Sequence, residues 1–378
     1  MPVSGSTETA LHRAQSTEHR AQSTEHRAQS TERYVAMPAA SRVFLFEDAY
    51  MTAATRASQA ALASAALRGD EAALAPSDRV GGAYLLGAAT ATLLSLWLSS
   101  RPSPVAWFAG QALLALALLQ WFVLLHEAGH KSLFRSRGLN VAAGHLAGFM
   151  ALVPFACWRR VHGLHHLWTG WQDRDPTTAA LAPRARGRAE IAAVDLAWRL
   201  WLPLFSLIYR WGNYWHLRRL RALFTAPDQR RAMQANIAAL TAAYALLCWL
   251  LGLEQFLRLF ALAGVLSFAL QDPLLLSQHT HLPQRLSGGR RVAPLDPGAQ
   301  LRHTRSLAFP CWFAHGVLIN FNAHELHHRF PAVPGYRLGR IACAAPNEVH
   351  WWTWLRAVKR MRGSVFLFQS RDSTGFTL

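Results

Sequence analysis

Four apolar runs dominate the chain: Val80 to Leu98, Val105 to Leu125, Ile237 to Leu253 and Leu259 to Leu276. Each comes close to the ~20 residues that a helix needs to span the hydrocarbon of a bilayer. Inside a membrane, only helices and closed barrels satisfy every backbone N–H and C=O. Short connectors, SSRPSP after the first run and EQFLR after the third, join the runs into two hairpins. Arginine crowds the middle segment, Lys131 to Arg231, and the tail beyond Leu276, whereas the two connectors hold only Arg101 and Arg258. The positive-inside rule places both termini and the middle segment in the cytoplasm. The expected fold class is all-α: a polytopic membrane protein with four transmembrane helices in two hairpins and a cytoplasmic helical cap.

Composition agrees with a membrane protein. The chain is 52% hydrophobic and 16% charged, and it carries 15 Trp, a residue that favours membrane interfaces. The net charge of +18 comes mostly from Arg. It sets topology, and it can also hold anionic membrane lipid or an acidic protein partner; no nucleic acid partner is expected. Cys157, Cys248, Cys311 and Cys343 are scattered without a C-x-x-C pair, which argues against a disulfide framework, a zinc ribbon or an iron–sulfur site. The amino terminus repeats HRAQSTE three times from His12 to Glu32. Only Ala recurs there as an apolar residue, so no coiled-coil seam exists, and residues 1–36 read as a disordered tail. His12, His19 and His26 are accordingly poor metal candidates. Met37 is a plausible start, and 37–79 reads as a cytoplasmic segment.

Two further stretches are ambiguous by hydropathy. Leu139 to Trp158 is nearly long enough to span, and we read it as re-entrant or interfacial. Leu196 to Ile208, with Trp198, Trp201, Tyr209, Trp211 and Trp215 in or near it, suits a helix lying in the interface.

The chain holds 18 His, and outside the repeat most fall into tight groups. These are His126 and His130 in HEAGH; His162, His165 and His166 in HGLHH; His279 and His281 in QHTH; and His324, His327 and His328 in HELHH. On a helix, positions i, i+3 and i+4 share a face, so each box aims its imidazoles one way, with the middle histidine of H-x-x-H-H one step round. Ionisable groups at a membrane are functional by default. Eight or nine imidazoles exceed the needs of one metal, since one zinc takes three or four ligands, and they suit two metals with open positions. Imidazole suits iron, copper and zinc alike. All four groups meet on one face only if Leu139 to Trp158 does not cross.

These motifs resemble those of the membrane fatty acid desaturase/hydroxylase superfamily, the histidine-box di-iron enzymes. HEAGH resembles the first box and HGLHH the second. HELHH followed by RFPAVPGY resembles the third, and QHTHLP the extra His segment of omega-6-type acyl desaturases. WTGWQDRDP after the second box also fits the family. The resemblance covers Val80 to the carboxy terminus and implies a membrane desaturase domain over 80–378. It implies nine metal ligands: His126, His130, His162, His165, His166, His279, His324, His327 and His328. His281 is a second candidate in QHTH, otherwise a neighbour of the ligands or a loop residue. In some relatives a polar side chain one turn before the lone His holds a metal-bound water. Leu275 stands there here, leaving Gln278 as a holder. Asp272 either braces a ligand histidine or caps a break at Pro273. Asp173 and Asp175 are candidates to orient the second box, and Glu127 and Glu325 face solvent or neighbour the ligands.

The implied activity is an O2-dependent desaturation at two Fe ions. A cis double bond enters an acyl chain carried by a lipid, CoA or carrier protein, with electrons from an external donor such as ferredoxin. The same boxes serve hydroxylases, ketolases and acetylenases. HEAGH alone also matches an intramembrane zinc protease with Glu127 as base and Asp272 as a further ligand, but that enzyme has no use for HGLHH or HELHH. A metal transporter would place its site near mid-membrane, whereas these boxes sit at helix ends. A bacterial chain of this kind belongs in the inner membrane, with its site facing the cytoplasm.

Overall fold

The structure, a computed structural model, describes residues 74–341 and 343–376. The HRAQSTE repeat with its three histidines, Met37 and nearly all of the 37–79 segment lie outside the described residues. In chain order the helices are α1 (Asp78–Ser99), α2 (Pro104–Gly129), α3 (Arg137–Met150), α4 (Phe155–Trp168), α5 (Arg188–Arg199), α6 (Leu204–Arg210), α7 (Leu217–Leu223), α8 (Pro227–Leu251) and α9 (Leu253–His279). Short helices follow: α10 (Pro297–Gln300), α11 (Cys311–Gly316), α12 (His324–Arg329), α13 (Gly335–Leu338), α14 (Trp351–Lys359), α15 (Gly363–Phe368) and α16 (Arg371–Thr374). A two-residue parallel pairing of Leu307–Ala308 with Val349–His350 ties the loop before α11 to the start of α14.

Among the described residues, α1, α2, α8 and α9 are long and apolar enough to cross a membrane. Side-chain caps start the first pair. Ser77 Oγ accepts from the Val80 N–H, and Ser103 Oγ accepts from that of Ala106, with Pro104 pre-set for the first turn. The second hairpin differs from expectation. α8 begins ten residues before Ile237, and α9 begins at Leu253, so EQFLR is the first turn of a helix rather than a connector. Gly252, at a φ of 74°, makes the reversal by itself, a conformation that costs glycine little.

The two ambiguous stretches are each bent. α3 and α4 meet at 101° across Ala151–Pro154, and α5 and α6 at 118°. The Leu139–Trp158 stretch is therefore not one straight crossing, in line with a re-entrant reading; counted as broken spans, the two pairs would raise the total to six. The expected single interfacial helix at Leu196–Ile208 is instead a corner. Trp201 at a φ of 58° and Pro203 stop α5, and the chain turns back.

α2 is the hub. It packs on α1, α3 and α9, and 61% of its apolar window is buried inside the protein, against 6% for α8. Exposed Leu246, Trp249 and Leu250 on α8 are side chains that only lipid would cover. From Leu119 to Ala128, α2 lines a core shared with α3, α4, Leu274 of α9, and Leu318 and Phe321 ahead of α12. That core anchors all four histidine-bearing segments to one helix end.

One polar contact sets the packing of α2 on α9. The buried Gln111 donates to the Leu259 carbonyl (2.9 Å) and accepts from the Ala263 N–H (3.0 Å), so its amide brackets one i, i+4 pair of α9. Its Nε2 also reaches Ser99 Oγ of α1 at 3.0 Å. Such bonds between membrane helices are worth about 0.6–2 kcal/mol. We expect Gln111→Leu to lower the thermal midpoint in detergent by a few degrees, and Gln111→Glu by more, because a charge replaces an amide in a buried site. An unchanged midpoint for both would mean that apolar packing alone registers the two helices.

Candidate metal centre

The first box closes α2. His126 lies on its last turn and His130 caps it, because Lys131 takes a left-handed φ of 61° and ends the helix. The second box rides on α4, the third makes up α12, and His279 is the last residue of α9. The structure brings all nine predicted ligand candidates together.

They form two groups, and the division crosses the boxes. His126, His130, His162 and His327 make one, and His165, His279, His324 and His328 the other, with the ligand-capable atoms of each group within 4.8 Å of one another. His166 joins the first, its Nε2 3.0 Å from both His162 Nε2 and His327 Nε2. The outer pair of each H-x-x-H-H box thus serves one group and the middle histidine the other. Helix geometry explains this. At about 100° per residue, i and i+4 lie about 40° apart, whereas i+3 falls about 60° to the opposite side. Expecting the middle histidine to follow its neighbours was therefore too coarse.

The chemistry of the donor set fits metal. His165 Nδ1–H donates to Asp175 Oδ2 (2.7 Å), His279 Nδ1–H to the His303 carbonyl (3.0 Å) and His328 Nδ1–H to Gln300 Oε1 (2.9 Å). Each bond fixes the tautomer, leaving a bare lone pair on Nε2. Yet His324 Nε2 lies 2.7 Å from His279 Nε2 and 3.0 Å from His328 Nε2. Two committed lone pairs and a third ring nitrogen thus converge on one point, a donor set that a metal ion would fill. Burial, and then the neighbouring imidazoles, holds His324, His327 and His328 well below the usual imidazole range, which favours the neutral rings that ligate metal.

The residues around the histidines sort differently from expectation. Asp175 is where the chemistry needs it: burial pushes its carboxyl up, but the His165 bond and the Thr177 N–H hold it below the usual range, so it stays ionised. Asp173 instead holds the Ser287–Gly288 turn. Asp272 neither braces a histidine nor caps Pro273, which lies inside an unbroken α9; its Oδ1 accepts from the Ser206 N–H at 2.7 Å, capping α6. His281, at a φ of 57°, donates from Nδ1 to the Gln369 carbonyl and meets Thr374 Oγ1 through Nε2. It clasps the carboxy-terminal segment and has no bond to the nine. Gln278 lines the same cavity as His126, His162, His165, His279 and His324, with Leu275 beside it.

Glu127 and Glu325 are buried, not solvent-facing. Glu127 accepts from Ser132 Oγ (3.0 Å) and the Gly335 N–H (2.8 Å), and its contact with His126 is to Nδ1 (3.3 Å). It therefore sits on the far side of that ring from the Nε2 cluster, the wrong place for a protease base. Gly335 permits this approach: a Cβ there would collide with the Ile319 carbonyl and crowd Glu127 Oε1 at 3.1 Å. Glu325 pairs with the Ser306 and Asn347 N–H groups. Sequence reasoning missed Gln300, which holds His328 and donates to the His166 carbonyl, and Trp158, stacked 4.3 Å from His162. A lone Gln in PGAQ carries no signal of either contact.

Beside the histidines, a second and mainly apolar cavity of about 370 Å³ opens between α5, α6 and α15. Thr177, Leu181, Phe205 and Tyr209 line both it and the histidine cavity, so the two adjoin.

Fold and site together define a helical integral membrane protein with two adjoining histidine clusters that could each hold a metal ion. The model of the fatty acid desaturase family matches residues 102–354, more than half of the chain, and the chain belongs to that family. It is 28% identical over 250 residues to the chloroplastic omega-3 fatty acid desaturase of Sesamum indicum, covering 62% of this chain and 53% of that one. It is 27% identical over 252 residues to the sn-1 oleoyl-lipid 12-desaturase of Picosynechococcus sp., covering 64% and 69%. It is 28% identical over 280 residues to the temperature-sensitive sn-2 acyl-lipid omega-3 desaturase (ferredoxin) of Arabidopsis thaliana, covering 68% and 59%. The chain thus spans little more than half the length of these plant relatives.

Partners of metal-bound histidines typically contribute 10–100-fold to metal affinity. Asp175→Asn should therefore lower metal retention by roughly that factor, read by metal analysis after dialysis against a graded chelator, while His281→Ala leaves retention unchanged. The reverse ranking would exchange the roles assigned here to the two residues.

Proposed function

We propose that this chain is a membrane acyl desaturase, with residues 80–378 as its catalytic unit and its metal centre facing the cytoplasm. The observation that carries the reading is the convergence of nine imidazoles, several with tautomers set by Nδ1 bonds, beside an apolar cavity of ligand size. Two iron ions would be held by His126, His130, His162, His166 and His327 and by His165, His279, His324 and His328; bound there, they supply the reduction of O2 and the oxidation of an unactivated C–H bond. The balance is one O2, two external electrons, two protons and one CH2–CH2 unit giving one cis CH=CH and two waters.

The chain's own residues do the positional work. Val194, Ala197, Trp198, Phe205 and Leu367 present an apolar wall on which a flexible acyl chain lies, and the shared lining from Thr177 to Tyr209 leads it to the histidines. Holding one carbon pair at the centre supplies proximity. Phe122, Trp158, Leu181 and Phe321 around the histidines exclude bulk water. Asp175 keeps His165 in one tautomer, and Thr177 Oγ1, 2.8 Å from Asp175 Oδ1 and 3.0 Å from His165 Nδ1, holds both. A lipid-borne acyl group is the substrate class most in keeping with the names of the relatives. The external electrons call for a carrier protein such as a ferredoxin.

The test is expression in a host with a simple lipid profile, followed by gas chromatography–mass spectrometry of derivatised fatty acids. We expect a new unsaturated species that disappears in His162→Ala and His327→Ala, and two irons per purified chain. An oxygenated product would place the enzyme with the hydroxylases, and one zinc per chain with no new lipid would overturn the reading.

A further inference from the structure

The electrons must enter somewhere, and one surface stands out. The loop from Gln284 to Arg302 carries Arg285, Arg290, Arg291 and Arg302 against Asp296 alone, and all four arginines are exposed. The loop lies on the metal centre as a strap. At one end, the Arg285 N–H donates to the Gly170 carbonyl just past the second box, and its guanidinium sits 5.7 Å from the Trp171 ring. In the middle, Asp173 holds Ser287, while Arg174, also exposed, donates to Ser287 Oγ and the Arg290 carbonyl. At the other end, Gln300 holds His328, and the His303 carbonyl takes the Nδ1–H of His279.

The two ends meet. Gly170 has a φ of 93°, and a Cβ there would lie 2.7 Å from the His303 ring and 2.5 Å from Leu295. Arg285 and the Arg302–His303 corner therefore belong to one patch. From that corner, a single hydrogen bond reaches a ligand-candidate imidazole. Beyond setting topology, these arginines lie on the segment whose far end holds His328 and His279.

We propose that this arginine strap is the docking surface for a small acidic one-electron carrier protein, seated one hydrogen bond from the candidate ligand His279. The proposal rests on the desaturase reading. Two docking events, each oxidising the carrier by one electron, would supply the pair that a turnover consumes. Complementary charge acts mainly on encounter and is weakened by salt.

The experiment uses the full chain in nanodiscs and a recombinant acidic [2Fe–2S] ferredoxin as probe, with binding measured by biolayer interferometry at 50 and 300 mM salt. We expect the wild type to bind at low salt and to lose at least tenfold in affinity at high salt. Arg290→Glu/Arg302→Glu should weaken low-salt binding at least tenfold and flatten the salt dependence. Arg302→Glu alone should give part of that loss, guarding against a misplaced loop in the double variant, with iron content reporting an intact centre. Arg137→Glu, on α3, changes the net charge as much as Arg302→Glu alone and should leave binding unchanged. No wild-type binding, or equal weakening by Arg137→Glu, overturns the proposal. So does a double variant that binds ferredoxin normally but no longer adheres to phosphatidylglycerol vesicles, which would make the strap a lipid contact. Because binding is read without turnover, a chain that docks ferredoxin but forms no double bond would defeat the desaturase reading and leave the docking surface standing.

Discussion

Nine imidazoles converge in two groups where four histidine-bearing segments meet, with ring nitrogens 2.7–3.1 Å apart. Burial disfavours protonated imidazole, and hydrogen bonds at Nδ1 commit several rings to present a lone pair inward. The arrangement is therefore one that could hold metal. Much of the rest of the fold can be understood as a frame that holds these lone pairs in place: α2 supplies two, α4 three, α9 one and α12 three. α2 and α9 are in turn locked by buried polar contacts, among them Gln111 to α9, Glu127 to Gly335 and Arg210 to Gln271.

The division of each H-x-x-H-H box between the two groups has a structural consequence. Because His165 and His327 cross over, neither α4 nor α12 can shift without disturbing both groups at once. Gln300 adds to this, joining His328 of one group to the backbone of His166 in the other. Rigid coupling of two metal positions suits chemistry in which both act on one small molecule. The corner between α5 and α6, which hydropathy alone reads as an interfacial helix, is what opens the adjoining apolar cavity.

Legibility in the sequence followed the range of the interaction. The four spans were readable because hydrophobic length is a local property, and their misjudged ends at Pro227 and Gly252 reflect how weakly a polar first turn registers beside an apolar run. The histidines were readable because their residue type and spacing are rare in a membrane protein. Asp175 was readable from its short distance to the second box. The roles of Asp272 and His281 were not: Asp272 meets Ser206 of α6, and His281 meets Gln369 and Thr374 at the carboxy terminus. Each is a contact between residues far apart in sequence, on which local pattern is silent.

What the sequence determined by itself is the class: a helical membrane protein, with imidazoles gathered at helix ends in numbers that call for two metals. Periodicity, hydrophobic length and ligand chemistry are enough for that, since each acts within a turn or a span. Only the tertiary structure decided which histidine serves which group, which carboxylates touch them, and where the apolar cavity and the arginine strap lie. Those outcomes depend on the 101° and 118° bends and on contacts between segments more than a hundred residues apart, where packing, and no local signal, chooses the neighbour.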